Sequence, residues 1–212
     1  MTQTTKLEEG KANGNMSVVS LAVKRMTDIV IALVGLIVFS PLFLVIYVAI
    51  KCEDGGQVFF SQERIGRYGK PFHIYKFRSM IMEAEEEGIP KLCQDHDDRL
   101  TRTGRFLREH HLDELPQLWN VLCGDMSFVG HRPERKYFID QIMKINPDYE
   151  LLYALRPGVF SIATLYNGYT DTMEKMLERL RLDLEYLHNR SLVLDIKIVC
   201  LTVTAILTGK KF

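Results

Sequence analysis

The order of apolar and polar positions divides the chain into a long uncharged stretch near its start and a mixed remainder. Residues 29–50, IVIALVGLIVFSPLFLVIYVAI, carry no charge. At about 1.5 Å per residue, a helix of this length reaches across the apolar core of a bilayer. Residues 1–16 are polar and poor in aromatic side chains, and we expect them to be disordered. The pattern predicts a membrane protein with most of its mass outside the bilayer.

The middle of the uncharged stretch contains Ser40-Pro41, which predicts a break in the helix. Proline removes a backbone hydrogen bond and kinks a helix, and the Ser40 hydroxyl can bond a carbonyl one turn back. Cations flank the stretch on both sides, with Lys24 and Arg25 before it and several more after it. A crossing helix usually has more positive charge at one end. We therefore favour a re-entrant helix-break-helix over residues 17–51, with both ends cytoplasmic, over a single-pass helix.

Three further segments have a regular pattern. Residues 57–80 read as two short strands around a turn with glycine, which predicts a β-hairpin. Residues 171–190 have an apolar stripe at helical spacing, predicted to face the core or the membrane. Residues 192–209 are apolar but interrupted by Asp195 and Lys197, which favours an interfacial or docked helix over a second crossing.

These patterns together predict a mainly helical α+β fold. The protein is expected to be monotopic, with an N-terminal re-entrant helix, interfacial amphipathic helices and a small β-hairpin. Residues 52–212 would form a cytoplasmic catalytic domain that includes the interfacial helices.

Charge and cysteine content narrow the class of protein. The 27 basic and 27 acidic residues balance, so the chain as a whole gives no sign of a nucleic-acid partner. The four cysteines are scattered and form no CxxC pair. This spacing argues against a disulfide scaffold or a zinc site and is compatible with a reducing compartment.

The segment LDELPQLWNVLCGDMSFVGHRP, residues 112–133, combines an apolar run with two adjacent carboxylates, Asp113 and Glu114. Carboxylates in such a run are normally paired, capped or bound to metal. One interpretation is that Asp113 caps a helix over residues 115–122 that Gly124 ends. The start of that helix would also suit an anion, but capping leaves Glu114 unexplained.

Basic residues lie on both sides of this pair. Four arginines recur at three-residue spacing and fall near one helix face: Arg99, Arg102, Arg105 and Arg108. For the first three we expect a solvated or headgroup-facing surface. Arg108 is closest to the carboxylates and is a candidate phosphate ligand, because a guanidinium can grip phosphate with two parallel hydrogen bonds. After the apolar run, a turn and a short strand are expected to present Arg132 at a corner.

The chain resembles the bacterial sugar transferases, in the small, catalytic-core-only form of the monotopic phosphoglycosyl transferases. The resemblance covers about residue 20 to the C-terminus. It rests on five ordered motifs: VKRMTDIV, Ser40-Pro41, VFFSQERIGRYGKPFHIYKFRSM, LTRTGRFLREHHLDELPQLWNVLCGDMSFVG and LRPGV. Each is weak alone, and their order and spacing make the resemblance specific.

The resemblance implies an enzyme at the cytoplasmic face of the bacterial inner membrane. It would move a sugar 1-phosphate from a UDP-sugar to polyprenol (undecaprenyl) phosphate, giving polyprenyl-diphosphate-sugar and UMP, as the first membrane step of glycan synthesis. Asp113 would be the nucleophile that forms a covalent aspartyl-phosphosugar, and Glu114 its catalytic partner and a ligand of Mg²⁺. Substrate phosphates would be bound by four cations: Arg108, Arg132, Lys76 and Arg78. Membrane lipid and downstream glycosyltransferases are the further partners it implies.

The chain departs from the family's usual motifs at two places, and two alternative functions remain open. The chain has Gly-His-Arg-Pro at residues 130–133, where the family usually has Gly-Pro-Arg-Pro, so we expect a less rigid corner. It has Pro-Gly-Val-Phe-Ser at residues 157–161 in place of Pro-Gly-Ile-Thr-Gly, and we carry no substrate contact over to that loop. The alternative functions are a single-pass anchor with a binding domain, and a nucleotidyl or plain glycosyl transferase.

Overall fold

The computed structural model describes residues 16–82, 84, 97–168 and 170–208. Within these ranges the α-helices are α1 (Val18–Val38), α2 (Ser40–Asp54), α3 (Arg102–Glu109), α4 (Gln117–Cys123), α5 (Lys136–Ile145), α6 (Ile162–Asn167), α7 (Met173–Asn189) and α8 (Leu192–Leu207). The strands are β1 (Phe59–Ile65), β2 (Pro71–Phe77), β3 (Ser127–Val129) and β4 (Gly158–Phe160). Short 3-10 helices cover Arg67–Gly69, Leu112–Glu114 and Pro147–Ala154.

The architecture is the predicted mainly helical α+β fold. Strands β1 and β2 form the expected antiparallel hairpin, paired from Phe59 opposite Phe77 to Ile65 opposite Pro71. Strands β3 and β4 pair in parallel as a second small sheet. Residues 1–15, which we expected to be disordered, lie outside the described residues; Met16, the last residue of that expected segment, is buried.

The apolar stretch is broken where its sequence predicts. Helices α1 and α2 meet at Phe39 with a bend of 58°. The Ser40 hydroxyl donates a 2.7 Å hydrogen bond to the carbonyl of Ile37, and Pro41 lies in the first turn of α2, where it removes no helical hydrogen bond. Across the described ranges, no single helix has both the length and the apolarity to cross a bilayer, but α1 and α2 together meet those criteria.

Helix α1 has one face against the protein and one face uncovered. Ala32 is fully buried, and a Cβ on Gly35 would lie 3.1 Å from a methyl of Leu118 in α4. Glycine therefore permits a close approach of the two helices. The uncovered face presents apolar side chains: Val30, Val34, Ile37 and Val38. Such a continuous apolar surface is typical of contact with lipid.

The residues just before the apolar stretch attach α1 to the C-terminal helix. Lys24 Nζ lies 2.7 Å from a carboxylate oxygen of Asp195 in α8 and donates to the carbonyl of Val129 at 3.0 Å. The other oxygen of Asp195 accepts a 2.6 Å hydrogen bond from Tyr186. The charge that interrupts the last apolar run is thus a buried docking contact.

Two further residues of α1, close to Lys24, attach the helix to the segment that follows Asp113 and Glu114. Arg25 donates to the carbonyls of Val121 and Leu122 at 2.7 and 3.0 Å, at the end of α4. A carboxylate oxygen of Asp28 accepts from the backbone N–H of Phe128 at 3.1 Å. These bonds attach α1 to the end of α4 and to β3 through backbone groups, which include carbonyls of the last turn of α4.

A buried amide of α4 joins the hairpin to that helix. Asn120 in α4 is fully buried; its Nδ2 donates to the carbonyl of His73 at 2.7 Å, and its Oδ1 accepts from the N–H of Tyr75 at 3.0 Å. It therefore pairs with the free edge of β2 as a neighbouring strand would. Lys76, the next residue, is held at a fixed place relative to α4.

Helices α7 and α8 complete the core. The apolar stripe predicted for residues 171–190 faces the protein interior, where Met176 and Leu180 pack with Ile139 of α5. Helix α8 is docked through Ile198, which is buried with Leu187. Other apolar side chains of α8 are uncovered: Val193, Ile196, Leu201 and Val203.

We expect Lys24→Met to destabilise the fold, because it leaves the Asp195 carboxylate, whose side chain is 10% exposed, without its cation. Removing one partner of a buried pair costs about 3–5 kcal/mol, which lowers Tm by roughly 6–20 °C in a chain of this size. Thermal unfolding in detergent measures the shift. Lys136→Met, which breaks the exposed pair with Asp140, is the control, and equal Tm values for both variants would contradict the docking role.

Candidate active site

A cavity of about 750 Å³ lies between α1, α8 and the segment that carries the two carboxylates. One end is charged and is lined by Lys76, Arg108, Asp113, Glu114, Arg132 and Arg179. The other end is mostly apolar: α1 and α8 line it with Ile31, Val199, Val203 and Ile206, and the same two helices also bring Asp28 and the paired Lys24 and Asp195 to the cavity. The cavity can therefore hold a molecule that is strongly anionic at one end and apolar at the other.

Five of the six charged residues proposed from sequence come together at the charged end. The sixth, Arg78, does not border this cavity. Strand β2 ends at Phe77, and the Arg78 guanidinium is buried against the carboxylate of Asp54 at the end of α2. Arg78 thus ties the hairpin to the second membrane-segment helix.

The carboxylates are not helix caps. Asp113 and Glu114 lie in a 3-10 turn that follows His111, a residue in the left-handed conformation with φ of 55°. Helix α4 begins at Gln117, with Pro116 at its N-cap position and no side-chain cap bond. The prediction that Asp113 caps this helix is wrong, as is its start at residue 115. Its end at Gly124, where φ is 96°, is as predicted.

Glu114 is held by two cations on the same oxygen. Lys76 Nζ lies 2.6 Å and Arg132 Nη2 lies 2.8 Å from Glu114 Oε1. Burial alone would raise the pKa of this carboxyl, but the charges of Arg132 and Lys76 outweigh it and hold the pKa well below its usual range. Glu114 is therefore a fixed carboxylate at the base of the charged end.

Asp113 has a different environment although it is the adjacent residue. It is buried, and its contact with Lys76 is longer, at 4.0 Å. Burial raises the pKa of Asp113 to about 6, the charge of Lys76 opposes the rise and that of Glu114 adds to it. A carboxylate that is less neutralised by its neighbours is the better nucleophile of the two.

The arginine series is only partly helical. Helix α3 begins at Arg102 after the N-cap Thr101, so Arg99 lies before it and does not share its face. Arg108, in the last turn, lines the charged end of the cavity, and Arg102 and Arg105 do not. The structure thus separates Arg108 from the rest of the series, as the sequence suggested.

Arg132 is positioned by the small parallel sheet. The N–H of Gly130 donates to the carbonyl of Phe160 at 3.1 Å, and the N–H of Gly158 donates to the carbonyl of His131 at 2.8 Å. A Cβ on Gly158 would lie 2.1 Å from the nitrogen of Gly130, so this approach requires glycine. His131 is fully enclosed at the corner.

Sequence reasoning missed Arg179, which lines the charged end of the cavity from α7. Its Nη2 lies 2.5 Å from Glu134 Oε2, and its Nη1 donates to Thr170 at 2.9 Å. Glu134 also binds Arg64 at 2.7 Å. A buried network of this kind holds the end of the corner in place beside Arg132.

Asp183, one helical turn further on, was also missed. It accepts a 3.0 Å hydrogen bond from the Ser161 hydroxyl and a bond from the backbone of Arg132. Arg179 and Asp183 follow Met176 at spacings of three and seven residues, and so fall on the buried stripe of α7. Charged residues on an apolar stripe are the signal that could have found them.

A magnesium ion fits this donor set if the substrate supplies part of its shell. Among the residues that the structure describes, no group of three or more His, Cys, Asp or Glu side chains could hold a metal. Mg²⁺ is usually bound through one or two carboxylates together with substrate phosphates and waters. Glu114 offers such a carboxylate next to cations suited to phosphate.

A family model and individual relatives both match this chain, and they indicate the same family of proteins. Residues 19–209 match the family model described as Bacterial sugar transferase. The chain is 42% identical over 187 residues to the UDP-N-acetylgalactosamine-undecaprenyl-phosphate N-acetylgalactosaminephosphotransferase of Aeromonas hydrophila, covering 88% of this chain and 44% of the relative. It is 42% identical over 190 residues to the UDP-glucose:undecaprenyl-phosphate glucose-1-phosphate transferase of Escherichia coli K12, covering 89% of this chain and 41% of the relative.

A relative of similar size is the uncharacterised sugar transferase EpsL of Bacillus subtilis 168. It is 37% identical over 190 residues, which cover 90% of each chain. The chain spans less than half the length of the Aeromonas and Escherichia relatives. Those two relatives are named for different sugars at the same identity, so the match does not identify a sugar.

Asp183 should make stability depend on pH. Burial raises the pKa of Asp183 to about 7, above its usual value of about 3.8. The folded state therefore binds the proton more tightly than the unfolded state, and this contribution to stability is lost as pH rises from about 4 to 7. We expect Asp183→Asn to remove this loss and to be more stable than the wild type at pH 8.

Thermal unfolding from pH 4 to 8 measures the difference between the two proteins. Asp140→Asn, at an exposed carboxylate, should keep the wild-type pH profile. If the profile of Asp183→Asn also parallels that of the wild type, Asp183 is ionised at low pH in the folded protein, and its burial does not make stability depend on pH.

Proposed function

Because the chain belongs to the bacterial sugar transferase family, we propose that it transfers a sugar 1-phosphate from a UDP-sugar to undecaprenyl phosphate, with release of UMP. The names of the Aeromonas and Escherichia relatives support this donor and acceptor. The observation that carries the proposal is the cavity itself, which joins a cluster of cations and two carboxylates to an apolar end.

The charged end suits the diphosphate of the donor. Lys76, Arg108 and Arg132 all face it, and arginine binds phosphate through paired, charge-assisted hydrogen bonds. In the described structure Lys76 and Arg132 neutralise Glu114. A bound diphosphate would share these cations, and their positive charge would stabilise negative charge that develops on the phosphate oxygens.

The reaction proceeds in two displacements. A carboxylate oxygen of Asp113 attacks the phosphorus bonded to the sugar, and the bond from this phosphorus to the oxygen of UMP breaks, with the electron pair leaving on UMP. The product is an aspartyl-phosphosugar. An oxygen of the lipid phosphate then attacks the same phosphorus, the bond to Asp113 breaks, and the carboxylate is restored. Splitting the transfer in this way replaces one difficult step by two easier ones.

Magnesium is the implied cofactor. When bound, it supplies positive charge on phosphate oxygens and fixes their orientation. Glu114 would hold it together with the substrate, since its carboxylate stays ionised under the charges of Arg132 and Lys76. Asp113 would remain free to bond to phosphorus.

The apolar end suits the first isoprene units of the acceptor. Side chains of α1 and α8 line it, and some of them, such as Ile31, Ile196 and Val203, are also exposed at the surface, so the apolar lining continues into the uncovered apolar surface of both helices. The bend of 58° at Ser40 and the cations on both flanks support a re-entrant insertion from the cytoplasmic face. In this arrangement the lipid reaches Asp113 with its tail still in an apolar environment.

Asp113→Asn tests the covalent mechanism. The amide is almost the same size as the carboxylate but cannot form the acyl phosphate, so we expect UMP release to fall on the order of 10³-fold or more. Wild type incubated with a UDP-sugar and Mg²⁺ without lipid should gain the mass of one phosphosugar on the peptide that contains Asp113.

Asp140→Asn, outside the cavity, should keep normal UMP release. An Asp113→Asn variant with near-normal release would falsify the mechanism, and UDP in place of UMP would identify a plain glycosyl transferase.

Chelation tests the metal. We expect excess EDTA to abolish UMP release and added Mg²⁺ to restore it, because the cations of the cavity already neutralise Glu114 and cannot alone neutralise a diphosphate as well. Glu114→Gln should need a higher Mg²⁺ concentration for half-maximal activity. Full activity in EDTA would show that the carboxylates act without a metal.

A further inference from the structure

A second, smaller cavity of about 70 Å³ lies beside the first turns of α1. Lys24, Asp28 and Val129 line both cavities and therefore separate them. Four guanidinium groups border the small cavity, those of Arg25, Arg67, Arg156 and Arg190. We call these four residues the basic cluster. None of them lines the catalytic cavity.

The basic cluster has too little negative charge around it. Asp28 is the acidic side chain among the described residues that border the small cavity, and Lys24 is already paired with Asp195. Burial lowers the pKa of Arg156, and the charges of Arg67 and Arg25 lower it further. Burial also lowers the pKa of Arg190. Like charges held this close favour an anion between them.

The arginines have donors to spare for such an anion. Arg67 Nε donates to the carbonyl of Ala154 at 3.0 Å, Arg156 Nε to that of Gly124 at 2.9 Å, and Arg190 Nε to Met16 Sδ at 3.3 Å. Arg25 donates from two nitrogens to the carbonyls of Val121 and Leu122. A guanidinium has five N–H donors, so each of the four arginines keeps donors beyond these bonds. The carbonyls orient the side chains without neutralising their charge.

A buried hydroxyl on the same cavity has no partner. Ser127 borders the small cavity and is 2% exposed, and its Oγ makes no hydrogen bond. Ser127 does not line the catalytic cavity. Leaving such a group unsatisfied destabilises the fold, and a ligand oxygen at this position would remove that penalty. This observation is independent of the charge of the arginines and indicates the same ligand.

We propose that the basic cluster and Ser127 bind one phosphate group, at a site separate from the catalytic cavity. A volume of about 70 Å³ suits a tetrahedral anion of five heavy atoms. The phosphate comes from an anionic phospholipid headgroup or from free phosphate. The cavity borders residues 21–28, directly before the uncharged stretch 29–50, which favours the headgroup when α1 is in the membrane.

The bound phosphate would join four separate parts of the chain. Arg25 belongs to α1, Arg67 to the hairpin turn, Arg156 to the segment before β4, and Arg190 to the segment between α7 and α8. The phosphate would therefore strengthen the attachment of the membrane helix to the catalytic domain. Dependence of stability on anionic lipid follows from this arrangement.

The first experiment titrates inorganic phosphate into the full chain, purified in a neutral detergent and a chloride buffer. At ten times its Kd, a bound anion should raise Tm by about 3–6 °C. Ser127→Ala should be at least as stable as the wild type without phosphate, because it removes an unsatisfied hydroxyl, and it should show a smaller rise with phosphate. Arg190→Gln should show a smaller rise as well.

Two control variants locate the phosphate. Arg181→Gln, which removes an exposed arginine of α7, should keep the full rise. Arg108→Gln alters the phosphate-binding end of the catalytic cavity, and the part of the rise that depends on Ser127 and Arg190 should persist in this variant. A rise lost in Arg108→Gln and kept in Ser127→Ala places the phosphate in the catalytic cavity and overturns the proposal. A rise that is equal in all variants also overturns it.

The second experiment separates the two sources. The same proteins are placed in nanodiscs of phosphatidylcholine alone or with phosphatidylglycerol. A rise in Tm with phosphatidylglycerol that is reduced in Ser127→Ala and Arg190→Gln identifies the headgroup, and the same pattern with inorganic phosphate alone identifies the free anion. If neither phosphate source gives a rise that depends on Ser127 and Arg190, the site does not exist.

Discussion

The ion contacts of two adjacent carboxylates, Asp113 and Glu114, determine how the elements around the large cavity are arranged. A charge taken out of water without a partner costs several kcal/mol, so Asp113 and Glu114 require cations from elsewhere in the fold. Lys76 comes from the hairpin and Arg132 from the corner after β3, and both reach the same oxygen of Glu114. The buried amide of Asn120 fixes the hairpin strand that carries Lys76. The hairpin and the parallel sheet thus both position a cation that neutralises Glu114.

The bent pair of apolar helices is part of this arrangement. Lys24, Arg25 and Asp28 precede the apolar stretch, and all three bond to the rest of the fold. Their partners include Asp195 in α8 and backbone groups of α4 and β3. The wall of the cavity is therefore built from the first and the last helix together, and a shift of either would change the space beside the dyad.

Features decided by neighbouring residues could be predicted from the sequence, and features decided by distant contacts could not. The break at Ser40 follows from local proline chemistry and appears as expected. Asp113 does not cap a helix because it lies in a 3-10 turn that follows His111. Residue propensities did not predict that turn. The resemblance assigned Arg78 to the site together with Lys76, but the strand ends between them and the Arg78 side chain turns to another helix. Arg179 was missed because its partners lie far away in sequence.

The shape of the cavity also bears on where the proposed transfer can occur. Moving apolar surface into water costs about 0.8 kcal/mol per CH₂, so exposing one five-carbon isoprene unit costs roughly 4 kcal/mol. A polyprenol phosphate therefore cannot travel to a site in the cytoplasm, and the site must lie where the lipid headgroup lies. The water-soluble donor has no such constraint. In the proposed reaction, a cavity whose charged end holds Asp113 and whose apolar end is walled by α1 and α8 would resolve this asymmetry, because each substrate would reach Asp113 from its own phase.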